Sequence, residues 1–182
     1  MTVHDNVIAA TQAWLASVVV ELNLCPFAKV VVDRASLRLC VHESPEPLQL
    51  LQTLHEELLR LQTSPDIETT LIIHPNALVD FYAYNDFLAT VDEWLRSEGF
   101  EGVFQVASFH PDYQFAGTTP GDAENFTNRS PFPMLHLLRE SSIDWAVASH
   151  PNVDAIPNTN MATMRRLGAE TLSKRLEKCF DV

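Results

Sequence analysis

Glycine is scarce in this chain: five residues in 182, none before position 99. No glycine-rich phosphate loop and no dinucleotide-binding fingerprint can be written from them, and the GxSxG elbow of a serine hydrolase is missing too. Cysteine is equally sparse. Cys25, Cys40 and Cys179 are odd in number, widely spaced and form no CxxC pair. That argues against a disulfide framework or a cysteine zinc site, and a reduced cytoplasmic protein is the simplest account. No apolar run approaches a membrane span, and the opening MTVHDNVIAATQ has neither the basic region nor the cleavage pattern of a signal peptide. Positive charge is short as well. Twelve Lys and Arg face twenty-four Asp and Glu, for a net charge of -12. Such a chain repels phosphate backbones, so nucleic acid is not an expected partner. An anionic small molecule would need a local positive spot.

What remains is ordinary globular material, 46% hydrophobic and 20% charged, in a length that suits one domain over 1–182. Asp5 to Leu22 carries apolar residues at helical spacing and stops at Cys25-Pro26; a short apolar piece, 27–32, follows. Leu37 to Val41, Thr69 to Ile73 and Val103 to Phe109 read as strands. Between them lie two helical patterns, one opened by Ser44-Pro45 with leucines at 48, 51, 54, 58 and 61, the other capped by Asn76 and stopped at Gly99. Asn85 could split the second. The alternation predicts an α/β fold: a small three-stranded, mainly parallel βαβαβ sheet covered by helices from both chain ends. Ser130 to Glu140, Ser142 to Ser149 and Asn160 to Phe180 read as further helices.

Between the third strand and Ser130 runs an irregular stretch of about twenty residues, long for a compact domain and therefore a candidate for function. It contains Tyr113, Phe115 and Phe126, which a disordered segment would lack. Two strands end in His-Pro, at His74 and His110. In open parallel sheets ligands bind beyond the carboxyl ends of strands, which would put both imidazoles on the functional edge. Asp112 could orient His110 as a general acid or base. The plainer reading makes both histidines turn residues bonded to backbone. Arg129 precedes Ser130-Pro131, an expected helix start, and a helix terminus beside a guanidinium favours a carboxylate or phosphate. Asn125 and Asn128 could add hydrogen bonds, and His74 could join them; pairing of Arg129 with Glu124 or Asp122 is the alternative. Cys25, as an N-cap before Pro26 with Lys29 close by, is a candidate nucleophile, against the commoner role of a buried packing residue. A metal site would have to draw on His74, His110, Asp112, His136 or His150, none at HxH or HxxxH spacing, so neither metal nor cofactor is expected.

NLCPFA at 23–28, FQVASFHPDYQFAG at 104–117, AENFTNRSPFPMLHLLRE at 123–140, AIPNTN at 155–160 and RRLG at 165–168 resemble a bacterial family known only as domain of unknown function 1415. The resemblance covers nearly the whole chain and implies a small, cytoplasmic, single-domain bacterial protein. It supplies no activity, cofactor or catalytic residue. From the residues themselves, the leading expectation is an anionic-ligand site in strand 103–109 and loop 110–130, with His110 as acid or base. A non-catalytic ligand- or partner-binding module is the alternative, and a metal protein the third.

Overall fold

The computed structural model describes residues 2–149 and 152–181. The first helix, α1 (Val3–Trp14), starts on a capping box: Asp5 N–H donates to Thr2 Oγ1 at 3.1 Å and Thr2 N–H to Asp5 Oδ2 at 2.8 Å. It runs on as a wide π-helical stretch over Leu15–Val20. Then come α2 (Ala28–Asp33), strand β1 (Leu37–Val41), α3 (Pro47–Thr63), β2 (Thr69–Ile73), α4 (Phe81–Ser97) and β3 (Phe104–Phe109). The long loop contains a 3-10 turn, Ala123–Thr127, and leads into β4 (Met134–Arg139). Helices α5 (Glu140–Ser149), α6 (Ile156–Leu167) and α7 (Ala169–Glu177) follow, with a closing 3-10 turn at Lys178–Phe180.

The sheet has four strands in the order β1-β2-β4-β3 and is mixed, which corrects the expected three-stranded, mainly parallel sheet. β1 and β2 are parallel; β4 lies antiparallel between β2 and β3. The segment read as a helix from Ser130 is therefore the sheet's inner strand. Met134, Leu135 and Leu137 are all fully buried. A strand buried on both faces is apolar without alternation, and periodicity cannot separate it from a helix. The available signal was Pro131 and Pro133, which push Ser130 and Phe132 away from helical backbone angles.

Each face has its own core. Leu50, Leu54, Leu58 and Leu61 of α3, fully buried, pack with α4 on Ile72, Leu135 and Leu137. At about 1.5–3 kcal/mol per buried large side chain, this stripe is a main source of stability. Trp14, Val18, Met164 and Leu172 pack on Leu71, Ile73 and Met134 from the other side. The helix expected over 160–180 is broken by Gly168, whose φ of 80° suits glycine. Asp80, not Asn76, caps α4, accepting from Ala83 N–H at 2.9 Å; α4 runs unbroken through Asn85. Arg139 Nη2 donates to the carbonyls of Leu61, Ser64 and Ile67, closing the carboxyl end of α3.

Candidate functional site at the carboxyl edge of the sheet

Because β4 runs opposite to both its neighbours, β1, β2 and β3 all point the same way. The residue after each is a histidine: His42, His74 and His110. All three are buried. Tyr84 of α4 stands between the last two, its ring 5.8 Å from His74 and 5.0 Å from His110. Its hydroxyl donates to Met134 O at 2.7 Å and accepts from Phe109 N–H at 3.1 Å, which ties α4 to two strands. His42 and Tyr84 were not singled out in the sequence. His42 follows LRLCV as His74 follows TTLII, and that repetition was the usable signal.

Backbone partners fix the tautomers of two of these rings. Asp112 N–H donates to His110 Nδ1 at 3.0 Å, so Nε2 carries the proton and donates to Leu78 O at 3.2 Å. His74 Nδ1–H donates to Ala77 O at 2.9 Å, leaving Nε2 with a bare lone pair. Among the described residues that nitrogen has no hydrogen-bond partner, and neither have His42 Nε2 or the buried hydroxyls of Thr70 and Thr127; His42 Nδ1 meets Thr53 Oγ1 at 2.9 Å. The two histidines extend the register that pairs Val41 with Ile73, and His42 N–H donates to Ile73 O at 2.8 Å. They stand side by side, about 5 Å apart in backbone spacing. Burial pushes the His74 imidazole down to about 4 and holds those of His42 and His110 below the ordinary value; Asp112 and Asp80 pull His110 upward, but burial outweighs them. Leu78 adopts a φ of 53° beside them. Side-chain-bearing residues occupy that region at a cost of about 1–2 kcal/mol, and such strain gathers at functional sites.

The other expected residues have different surroundings. Asp112 is exposed and meets the His110 ring through its amide, not its carboxylate. Ser130 starts no helix; it is buried and donates to Phe132 O at 2.6 Å. Arg129 Nε donates to Tyr113 O at 3.2 Å and Nη2 to Pro120 O at 2.7 Å, with the guanidinium 4.5 Å over the Phe126 ring. Neither acid expected as its partner pairs with it: Glu124 bonds Arg165 at 2.8 Å, and Asp122 takes the amide and hydroxyl of Thr119 at 2.7 and 2.9 Å. Asn125 is fully buried; its Oδ1 accepts from Phe115 N–H and Thr118 Oγ1, and its Nδ2 donates to Thr119 O. Asn128 Nδ2 donates to Ser108 O at 3.1 Å, and Asn128 O accepts from His110 N–H. These side chains knit the loop to itself and to β3.

Cys25 is exposed in a turn whose carbonyl accepts from Ala28 N–H at 3.1 Å. It is not an N-cap: α2 begins three residues later, at Ala28, with Phe27 as its N-cap, and Lys29 pairs with Asp33. Burial raises the Cys40 thiol to about 11 and also lifts that of Cys179. His136 lies on the opposite face of the sheet, its Nε2 2.8 Å from Thr69 Oγ1, and His150 is outside the described residues. Among the described residues no group of three His, Cys, Asp or Glu side chains could hold a metal ion, and no helix is long and apolar enough to cross a membrane. Two surface clefts, of about 610 and 560 Å³, flank the N-terminal helix. Neither is lined by any of the three strand-end histidines.

No curated protein and no solved structure matches the chain. A family model described as "Protein of unknown function (DUF1415)" matches residues 6–174, and the chain belongs to that family.

Proposed function

We propose that the protein binds a small hydrogen-bond-donating molecule, an amine or hydroxyl compound, at the carboxyl edge of β1 and β2. The observation that carries this reading is that the neighbouring residues His42 and His74 each bury a ring nitrogen, Nε2, with no partner among the described residues. A buried unpaired polar group costs about 1–3 kcal/mol, and folded proteins retain few of them. A donor placed between the two strands would meet the His74 lone pair directly. Its charge preference follows from the surroundings. The imidazoles are neutral at pH 7, and Glu43, Glu46, Asp80 and Asp112 are exposed around them. An ammonium or hydroxyl suits that rim better than an anion does. Asn76 Nδ2 donates to Glu43 O at 2.8 Å, joining the two segments that cover the histidines, and these must part to admit a ligand.

Recognition has more support here than proton transfer. A base at about 4 takes up a proton poorly at neutral pH, and both nitrogens of His110 are already bonded within the fold. An anion at Arg129 lacks the helix terminus that would have helped to hold it, and that guanidinium is bonded to loop carbonyls. The test is a melting-temperature screen with small amines, polyols and carboxylates on wild type, His42→Leu and His74→Phe. Amines or polyols should stabilise the wild type saturably and lose that effect in both variants. The proposal fails if none of them does so, or if the variants respond as the wild type does.

A further inference from the structure

We infer that the cleft between the N-terminal helix and α7 is a binding site for a small polyanion carrying phosphate or carboxylate groups. The first observation is where the scarce positive charge lies. Five of the twelve basic residues fall between 165 and 178, in a chain of net charge -12. Lys174, Arg175 and Lys178 line a cleft of about 610 Å³, with Glu21 as its sole lining carboxylate among the described residues. That volume is within the range of about 300–1,000 Å³ usual for small-molecule sites. Thr171, Lys174, Arg175 and Lys178 recur at helical spacing, so they share one face, in a row about 10 Å long. A ligand with two or three anionic groups would span such a row, where a single charge would not.

The second observation is that the opposite wall is a distorted helix. In the π-helical stretch Glu21 N–H donates to Ala16 O at 3.1 Å, and Leu22 N–H to Val18 O at 3.3 Å. The carbonyl of Ser17 is thereby released from the helix ladder. Arg175 Nη1 takes it at 2.6 Å and Glu21 Oε1 at 2.8 Å. Stretches of π-helix recur at functional sites. This one fixes an otherwise mobile guanidinium at the cleft. The flanking cations remain available. Lys174 pairs only with Glu170, on the exposed surface, and Lys178 has no ion pair among the described residues. Exposed pairs of that kind are weak and exchange readily for a ligand. The floor is Ser17 Oγ and the buried Cys179 Sγ, 3.8 Å apart.

The experiment is a titration of ¹⁵N-labelled protein with pyrophosphate and, separately, citrate, against sodium chloride at matched ionic strength. Saturable amide shifts should be confined to the surroundings of Ser17, Glu21, Thr171, Lys174 and Lys178. The double variant Lys174→Gln, Lys178→Gln should weaken binding roughly tenfold, the scale of two part-exposed charge contacts, with its melting temperature unchanged. Glu21→Gln should tighten binding by removing the carboxylate that lines the cleft. His42→Leu should leave it alone, which separates this site from the histidine edge. A response to pyrophosphate alone assigns phosphate ligands, to citrate alone carboxylates, to both any polyanion of this size. Shifts no larger than those with chloride, or full affinity in the double variant, would overturn the inference.

Discussion

The loop from 110 to 133 and the strand-end pair His42 and His74 lie at the same edge of one sheet and use polar side chains in opposite ways. In the loop, Asn125, Asn128, Arg129 and Ser130 all spend their hydrogen bonds inside the fold, and the Thr127 hydroxyl is the exception, buried without a partner among the described residues. At the strand ends two imidazoles are buried with a nitrogen unmatched. The difference follows from backbone accounting. An irregular segment has no ladder to satisfy its amides and carbonyls, so side chains must do it. At the ends of β1 and β2 the ladder already serves most of the backbone, so each imidazole gives one nitrogen to a neighbour, Thr53 Oγ1 or Ala77 O, and keeps the other unmatched. A dense cluster of polar residues in a long loop is thus as much a sign of scaffolding as of a site. A buried polar atom that the scaffold leaves unused is the sharper pointer.

The largest expected effect is that of acid. The imidazoles of His74 and His136 are held at about 4 by burial, below the ordinary 6.5. As pH falls through 6.5 the unfolded chain takes up these protons and the folded one does not. Their contribution to stability is whole above about pH 6.5 and is lost progressively toward pH 4, by about 3 kcal/mol for each ring. Urea unfolding at pH 7, 6 and 5 should show the decline, and His74→Phe should flatten it in part, since His136, His42 and His110 are lowered too. An imidazole of His74 that titrates near 6.5 by NMR would mean that its nitrogen is solvated, and the contrast with the loop would disappear.

Asn125→Ala comes next. It removes three hydrogen bonds and leaves Phe115 N–H without its acceptor and Thr119 O without its side-chain donor, while the Thr118 hydroxyl keeps Phe115 O at 2.8 Å. The expected loss is about 3 kcal/mol, or roughly 6–12 °C in melting temperature for a chain of this size. A loss below about 1 kcal/mol would show that the loop is not held by this residue.

Much of the sheet was legible. The strands at 37–41 and 69–73 have the expected bounds, and the third begins one residue later than expected, at Phe104. β4 was not legible from period, because burial on both faces erased the alternation that marks a strand. The helix assigned in its place also supplied the terminus expected to help hold an anion at Ser130, and β4 stands there instead. The edge of the sheet was found because His-Pro stops a strand visibly. His42 has no proline after it and passed unnoticed. The partners of Arg129 could not be read at all: they are the carbonyls of Tyr113 and Pro120, and backbone acceptors leave no trace in the letters.

Arg129→Ala should cost about 2 kcal/mol, from two bonds to carbonyls and the stacking on Phe126. Arg129→Lys should recover part, since an ammonium can reach one carbonyl but cannot fork. Isothermal titration with phosphate alongside thermal unfolding separates the roles. Lost stability with unchanged anion affinity makes Arg129 part of the loop scaffold; lost affinity with unchanged stability would return it to the ligand side of the comparison.

The smallest expected change in stability is that of His42→Leu, and it bears most directly on the contrast. The substitution removes one satisfied contact, Nδ1 with Thr53 Oγ1, and one unsatisfied nitrogen. Losing the contact costs about 1 kcal/mol, and losing the buried unpaired nitrogen returns a similar amount. Thr53 is half-buried on α3, where its hydroxyl can turn to the preceding helical turn. The net change in denaturant unfolding should therefore lie within about 1 kcal/mol, well under the loss for Asn125→Ala. His42→Leu should nonetheless abolish the stabilisation given by amine or hydroxyl ligands. If His42→Leu instead destabilises as much as Asn125→Ala, then Nε2 is satisfied in solution by a water that belongs to the fold. The strand ends would then be scaffolding like the loop, and the ligand-binding reading of this edge would fall with them.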